Sequence, residues 1–86
     1  MINAAKDYDA QRAIDFRWFV DNLPELYKLF GECYLAIQNC EVIGKYNSYE
    51  EGVLETSKTQ PLGTFIVQYC GSNESAYQVF LNNSEI

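Results

Sequence analysis

The feature that most constrains the fold of this 86-residue chain is a change in the spacing of its apolar residues at Gly31. Before Gly31 they recur at helical spacing, whereas after it they form short runs of β-branched and aromatic residues separated by turn residues. A chain of this length holds one domain. We therefore predict a single α+β domain over residues 1–86, with a helical part over residues 1–31 and a ββαββ part over residues 32–82.

Two helices are predicted in the helical part. The first runs over residues 4–21 and carries a stripe of apolar side chains at helical spacing: Ala10, Ala13, Ile14 and Trp18. Around Trp18 the apolar residues spread to other sides of the helix, so more than one side there must be covered. A short second helix begins after Asn22, whose side chain can cap it, and ends at Gly31.

A hairpin and a capped helix are predicted next. Asn39 and Cys40 form the two-residue turn, because Asn tolerates a positive φ. The register that follows pairs Ile37 with Val42, and Leu35 with Gly44. The sequence Ser48-Tyr49-Glu50-Glu51 is a capping box that starts a helix reaching about residue 59. Inside this helix a glycine, Gly52, indicates close approach to the sheet.

The last two predicted strands cover residues 64–70 and 76–81. Together with the hairpin they predict a mainly antiparallel sheet that has all its helices on one face. The other face would then be open and apolar unless the first helix covers it, and an exposed apolar patch is typical of an interface. We expect a homodimer, or another protein partner, bound through this sheet face or the first helix. The residues predicted to form the interaction surface are Trp18, Tyr34, Ile43, Ile66 and Phe80, with Cys70 on the same face.

The residue types argue against catalysis. The chain contains no histidine, the commonest general base and metal ligand. The three cysteines, Cys33, Cys40 and Cys70, are odd in number and lack CxxC spacing, so reduced thiols are expected, with neither a disulfide framework nor a zinc site. Phosphate-binding glycine loops and nucleophile motifs do not occur. We therefore expect no enzymatic activity, no catalytic residue, no cofactor and no metal.

The charge is acidic and evenly spread. Twelve Asp and Glu residues against six Lys and Arg give a net charge of −6, which disfavours binding to nucleic acid or to anionic membranes. Neither a signal peptide nor a long apolar segment is evident, so we expect a cytoplasmic protein that is neither secreted nor membrane-spanning. An alternative use of the charge is an acidic inhibitor or mimic that occupies a basic site on a partner, and its binding would weaken steeply with salt.

Several segments match a pattern known from other proteins. Residues 31–37, 42–48, 62–68 and 75–80 are similar to G-K-Y-V-A-I, V-I-G-x-Y-x-S, L-G-T-F-L-I-Q and S-Y-T-Q-T-F, and they depart from the pattern at Glu32-Cys33 and Gln60-Pro61. In this respect the chain resembles a family of small bacterial proteins that have no established activity. The resemblance implies a shared fold and nothing catalytic. Since genes of that family lie near genes for retropepsin-like aspartyl proteases, it also implies a weak link to such a protease as a partner.

Overall fold

The computed structural model describes residues 8–71. In chain order they form α1 (Tyr8–Asp21), α2 (Leu23–Phe30), β1 (Cys33–Ile37), β2 (Val42–Tyr46), α3 (Tyr49–Ser57) and β3 (Ile66–Cys70). The strands lie in the order β2-β1-β3 and both pairs are antiparallel. The predicted α+β class is confirmed. The predicted fourth strand over residues 76–81, with Phe80, lies outside the described residues.

Helices cover both faces of the described sheet, so the prediction that all helices lie on one face is wrong. Side chains on one face of β1 join α1 and α2 in a buried cluster of Phe19, Leu23, Leu26, Cys33, Leu35, Ile37 and Cys70. Side chains on the opposite face join α3 in a second cluster of Ala36, Phe65 and Val67, with Tyr34, Tyr46 and Val53 partly buried against it. The physical reason is that β1 is apolar on both sides, and each side of such a strand requires a covering layer.

The hairpin forms at the predicted turn but with an irregular register. Asn39 and Cys40 have φ angles of 55° and 58°, and the Gln38 N–H donates to the Glu41 carbonyl at 2.9 Å. The two positive φ angles and this closing hydrogen bond define a two-residue turn at Asn39 and Cys40, so the predicted turn is confirmed. The predicted pairing of Ile37 with Val42 is also confirmed. A β-bulge then leaves Ile43 unpaired, so that Gly44 lies opposite Ala36 and the predicted pairing of Leu35 with Gly44 is wrong.

The start of α3 follows the predicted capping box in part. The Ser48 hydroxyl accepts from the Glu51 backbone N–H at 3.0 Å, as predicted. The Glu51 carboxylate, however, accepts from the Asn47 N–H at 2.9 Å, one residue earlier than the predicted Ser48. Two backbone donors at the helix entry are still satisfied, so the same two side chains fix where α3 begins.

The junction between α1 and α2 corrects the predicted role of Asn22. Asn22 occupies the position before α2, but its side chain makes no capping hydrogen bond to that helix. Its Nδ2 donates instead to the Trp18 carbonyl at 2.8 Å. The Trp18 carbonyl also accepts from the Asn22 backbone N–H at 3.0 Å, so the side chain adds a second donor to this acceptor at the C-terminal end of α1.

Candidate functional site

The residues predicted to form an open sheet face do not share a surface. Tyr34 is half-buried on the face that α3 covers, whereas Ile66 and Cys70 pack on the face that α1 and α2 cover. Ile43 is the bulged residue of β2 and is 38% exposed. The predicted open face is therefore wrong for the described sheet, because each of its faces is covered by helices. Among the residues predicted to form the interaction surface, Trp18 lies on a helix, α1, and not on the sheet.

Trp18 belongs to a group of side chains on the outer side of α1. This group lines a shallow, open depression and recurs at spacings of three and four residues, which places its members on one side of a helix: Ala13, Ile14, Arg17, Trp18 and Asp21. The buried residues of α1, Asp15 and Phe19, lie on the roughly opposite side, toward the sheet. We call the five residues the outer strip of α1.

The outer strip presents apolar surface. Ile14 is 52% exposed, and Ala13 beside it is also exposed. Trp18 is half-buried and packs against the cluster under α1, so one part of its indole is held by the core while another part lines the depression. Because a tryptophan anchored in this way keeps one conformation, it can offer a large apolar contact area at little cost in conformational entropy.

Two opposite charges accompany this apolar surface. Arg17 and Asp21 are both exposed and lie one helical turn apart. Within residues 8–71 the ion pairs are Arg12 with Asp9 and Lys58 with Glu55, so neither charge of the outer strip has an ionic partner there. A surface that carries one cation and one anion beside apolar residues can complement a second copy of itself across a two-fold axis.

A buried carboxylate fixes which side of α1 faces outward. Asp15 is 0% exposed, and it accepts hydrogen bonds from the backbone N–H groups of Cys40 at 2.9 Å and Asn39 at 3.2 Å. The Gln11 side-chain amide donates to the same carboxylate at 2.9 Å. A second link joins the Arg12 guanidinium to the Gly63 carbonyl at 2.8 Å. Because α1 is hydrogen-bonded to the hairpin turn and to the loop before β3, these bonds fix which side of the helix faces the sheet.

Sequence reasoning missed Asp15. Acidic residues were taken as solvated, and Asp15 stands between two apolar neighbours, Ile14 and Phe16, without a motif around it. The available signal was its spacing of four residues from Phe19, which puts both on one side of a helix. The acceptor role of Asp15 was not available from the sequence, because it depends on how the hairpin turn directs the N–H groups of Asn39 and Cys40 toward α1.

The three thiols have raised pKa values, so they react slowly as nucleophiles while the domain is folded. Burial raises the pKa of Cys70 from 9.0 to about 11, with the neighbouring Cys33 adding to the rise. Burial likewise raises the pKa of Cys33. For Cys40, burial raises the thiol pKa first, and the negative charge of Asp15 and a hydrogen bond to it raise the pKa further. All three thiols are therefore protonated at neutral pH, where the thiolate is the reactive form.

Other kinds of site are not apparent in residues 8–71. In that part of the chain no three His, Cys, Asp or Glu side chains lie close enough to hold a metal ion, and no helix there has the length and apolar character needed to cross a bilayer. Comparison with family models, curated proteins and solved structures found no match to the chain. The resemblance to the small bacterial proteins therefore stays a prediction, and function must be inferred from the outer strip of α1.

Proposed function

We propose that this protein is a non-catalytic interaction module that pairs with a second copy of itself through the outer strip of α1. The observation that supports this proposal is that one side of one helix carries exposed apolar side chains and two opposite charges that have no ionic partner within residues 8–71. The proposed setting is the cytoplasm, which the three unpaired cysteines favour.

The shape of the outer strip favours a protein ligand over a small molecule. Small-molecule sites are concave and enclose most of the ligand surface. The depression here is open, and its lining residues among the described residues 8–71 all belong to α1. An apolar centre with a charged margin is the usual composition of a protein interface, and Trp and Arg are the residue types most enriched among those that dominate binding energy.

The two charges favour a second copy of the chain as the occupant. In an antiparallel pair of α1 helices with the two-fold axis near Trp18, each Arg17 lies within reach of the partner's Asp21. Ile14 then packs beside the partner's Trp18, so the apolar side chains are buried together. Every contact occurs twice by symmetry, which lets a small strip contribute two ion pairs and two apolar contacts to one interface.

Replacing Ile14 by Glu is expected to weaken self-association at least about tenfold, because a carboxylate would be buried against the partner's Trp18. Sedimentation equilibrium over a range of protein concentrations measures the dimer dissociation constant. The matched control is Leu54→Glu on α3, which changes an apolar side chain of similar exposure, 61%, away from the outer strip. This control is expected to dimerise like the wild type.

Two outcomes would contradict the proposal. One is a wild-type protein that stays monomeric at every concentration tested. The other is equal weakening by Ile14→Glu and Leu54→Glu, since this would mean that the interface is not at α1. Circular dichroism of both variants shows that the fold is retained, which is expected because both replaced side chains are more than half exposed.

A further inference from the structure

Cys33 and Cys70 occupy directly opposite positions on neighbouring strands. They are Cα partners in the antiparallel pairing of β1 with β3, and both side chains belong to the buried cluster under α1 and α2. Directly opposite residues of an antiparallel pair have Cα atoms about 4.5 or 5.5 Å apart. A disulfide requires a Cα separation of about 4.4–6.8 Å. The backbone therefore already holds the two cysteines at a bridging distance.

The two thiols influence each other electrostatically. The neighbouring Cys33 adds to the rise in the pKa of Cys70, behind the larger effect of burial, and the Cys33 Sγ donates to the Gly31 carbonyl at 3.5 Å. Cys33 is 6% exposed and Cys70 is 0% exposed, so both sulfurs are shielded from solvent. Because the two residues are directly opposite on one face of the sheet, their side chains leave the sheet in the same direction.

We propose that Cys33 and Cys70 form a redox site, in which their thiols are converted reversibly into a disulfide that links β1 to β3. This inference does not depend on the proposed self-association. Each thiol loses its proton, the pair together loses two electrons, and one S–S bond forms. The oxidant is a small-molecule disulfide, which one cysteine attacks to form a mixed disulfide. The second cysteine then displaces the remaining half, so the oxidant leaves as two thiols.

The third cysteine has no such partner. Cys40 lies in the turn at the opposite end of β1 from Cys33, where its backbone N–H is bound to the Asp15 carboxylate. Because the disulfide between Cys33 and Cys70 joins strands that are already paired, it is compatible with the folded domain. A bridge to Cys40 would require the hairpin turn or a strand to move, which makes Cys40 a suitable internal control.

Burial governs how fast the disulfide forms. A protonated and shielded thiol reacts slowly, so oxidation of the folded protein must wait for β3 to separate transiently from β1. Refolding in the presence of the oxidant removes this limit. Once formed, the disulfide closes a loop that holds the hairpin and α3, and it reduces the freedom of the unfolded chain. A rise of about 10 °C or more in Tm is therefore expected.

The test uses the full-length chain refolded from denaturant in a buffer of reduced and oxidised glutathione. Mass spectrometry of the wild type and of Cys40→Ala is expected to show a loss of about 2 Da in each, corresponding to one internal disulfide. Trypsin leaves Cys33 and Cys40 in one peptide, residues 29–45, and Cys70 in another, residues 59–86. In Cys40→Ala, a cross-link between these two peptides therefore identifies the bond between Cys33 and Cys70.

Thermal unfolding of the oxidised Cys40→Ala protein, with and without a reductant, then measures the rise in Tm. The proposal is overturned by glutathione attached to Cys33 and Cys70 without a cross-link, by both thiols staying reduced after refolding, or by a wild-type disulfide that involves Cys40. The first two outcomes are read from the peptide masses of Cys40→Ala. The third is read from fragmentation of the disulfide-linked wild-type peptides, which shows whether Cys33 or Cys40 of residues 29–45 is bonded. None of them requires a Cys33 or Cys70 variant to fold.

Discussion

Replacing Asp15 by Ala is expected to lower the free energy of unfolding by about 2–4 kcal/mol, because it removes a fully buried side chain and leaves two part-buried backbone donors without their acceptor. The backbone N–H groups of Asn39 and Cys40 both donate to this carboxylate, 2.9–3.2 Å away. Each unsatisfied buried donor costs about 1–3 kcal/mol. Urea unfolding followed by circular dichroism measures the change, which is a large fraction of the stability of a domain of this size.

A second variant separates the charge of Asp15 from its shape, and a third is a control on the same helix. Asp15→Asn keeps the size of the side chain, but its amide group has one acceptor oxygen where the carboxylate has two. A smaller loss of stability than that of Asp15→Ala is therefore expected. Asp9→Ala removes an exposed carboxylate of the same helix that is bonded to Arg12, and exposed pairs contribute only about 0–1 kcal/mol. A loss from Asp15→Ala no larger than that from Asp9→Ala would contradict the role assigned to the buried carboxylate.

Replacing Gly52 by Leu is expected to destabilise the fold by about 3 kcal/mol, since α3 lies too close to the sheet for a side chain at this position. A Cβ atom at Gly52 would lie 2.9 Å from Val67 Cγ1 and 3.4 Å from Tyr46 Cδ2. The gain in helix propensity over glycine is about 1 kcal/mol, which offsets only part of the steric cost. Urea unfolding followed by circular dichroism again measures the decrease in the free energy of unfolding.

A double-mutant cycle isolates the contact between Gly52 and Val67. The three proteins to compare with the wild type are Gly52→Ala, Val67→Ala and the variant that carries both changes. The first adds a methyl group where the second removes two, so the double variant is expected to be more stable than the sum of the single losses predicts. Additive losses, or a Gly52→Leu protein as stable as the wild type, would show that α3 does not pack on the sheet at this point.

The features predicted correctly from the sequence depend on residues that are close together in the chain. The turn at Asn39 and Cys40 follows from the backbone preference of Asn, and the start of α3 from a serine and a glutamate three residues apart. The close approach at Gly52 was also predicted, because a glycine inside a helix has few other uses. These signals depend on neighbouring residues only, and the structure differs from the predictions in details such as the donor that the Glu51 carboxylate accepts from.

The features that were missed or predicted wrongly from the sequence depend on contacts between residues that are distant in the chain. Asp15 is bonded to residues 24 and 25 positions further along the chain. The bulge at Ile43 shifts β2 by one residue relative to β1, which no turn signal predicts. The position of α3 depends on Ala36 and Tyr34, which give the second side of β1 an apolar surface that the helix covers. From the sequence, this side of the sheet was predicted to be an open interface instead.

The outer strip of α1 was predicted in part. Trp18 was correctly assigned to a helix with apolar residues on more than one side. The stripe of apolar residues that includes Ala13 and Ile14 was predicted without an assignment to the core or the surface, and in the structure Ile14 is 52% exposed. The reason is that the bonds made by Asp15 turn α1 so that Asp15 and Phe19 face the sheet. The buried carboxylate therefore positions the surface through which we propose that the protein self-associates.

The most direct test of that self-association is the mixing of two charge-reversed variants, Arg17→Asp and Asp21→Arg. Each variant alone brings like charges together twice across the two-fold axis, so its dimer affinity is expected to fall about tenfold or more. In an equimolar mixture, both aspartates of one variant face both arginines of the other, and all contacts are attractive. Sedimentation equilibrium is therefore expected to show a heterodimer at least as tight as the wild-type dimer. A mixture no more associated than its separate components would contradict the proposed interface.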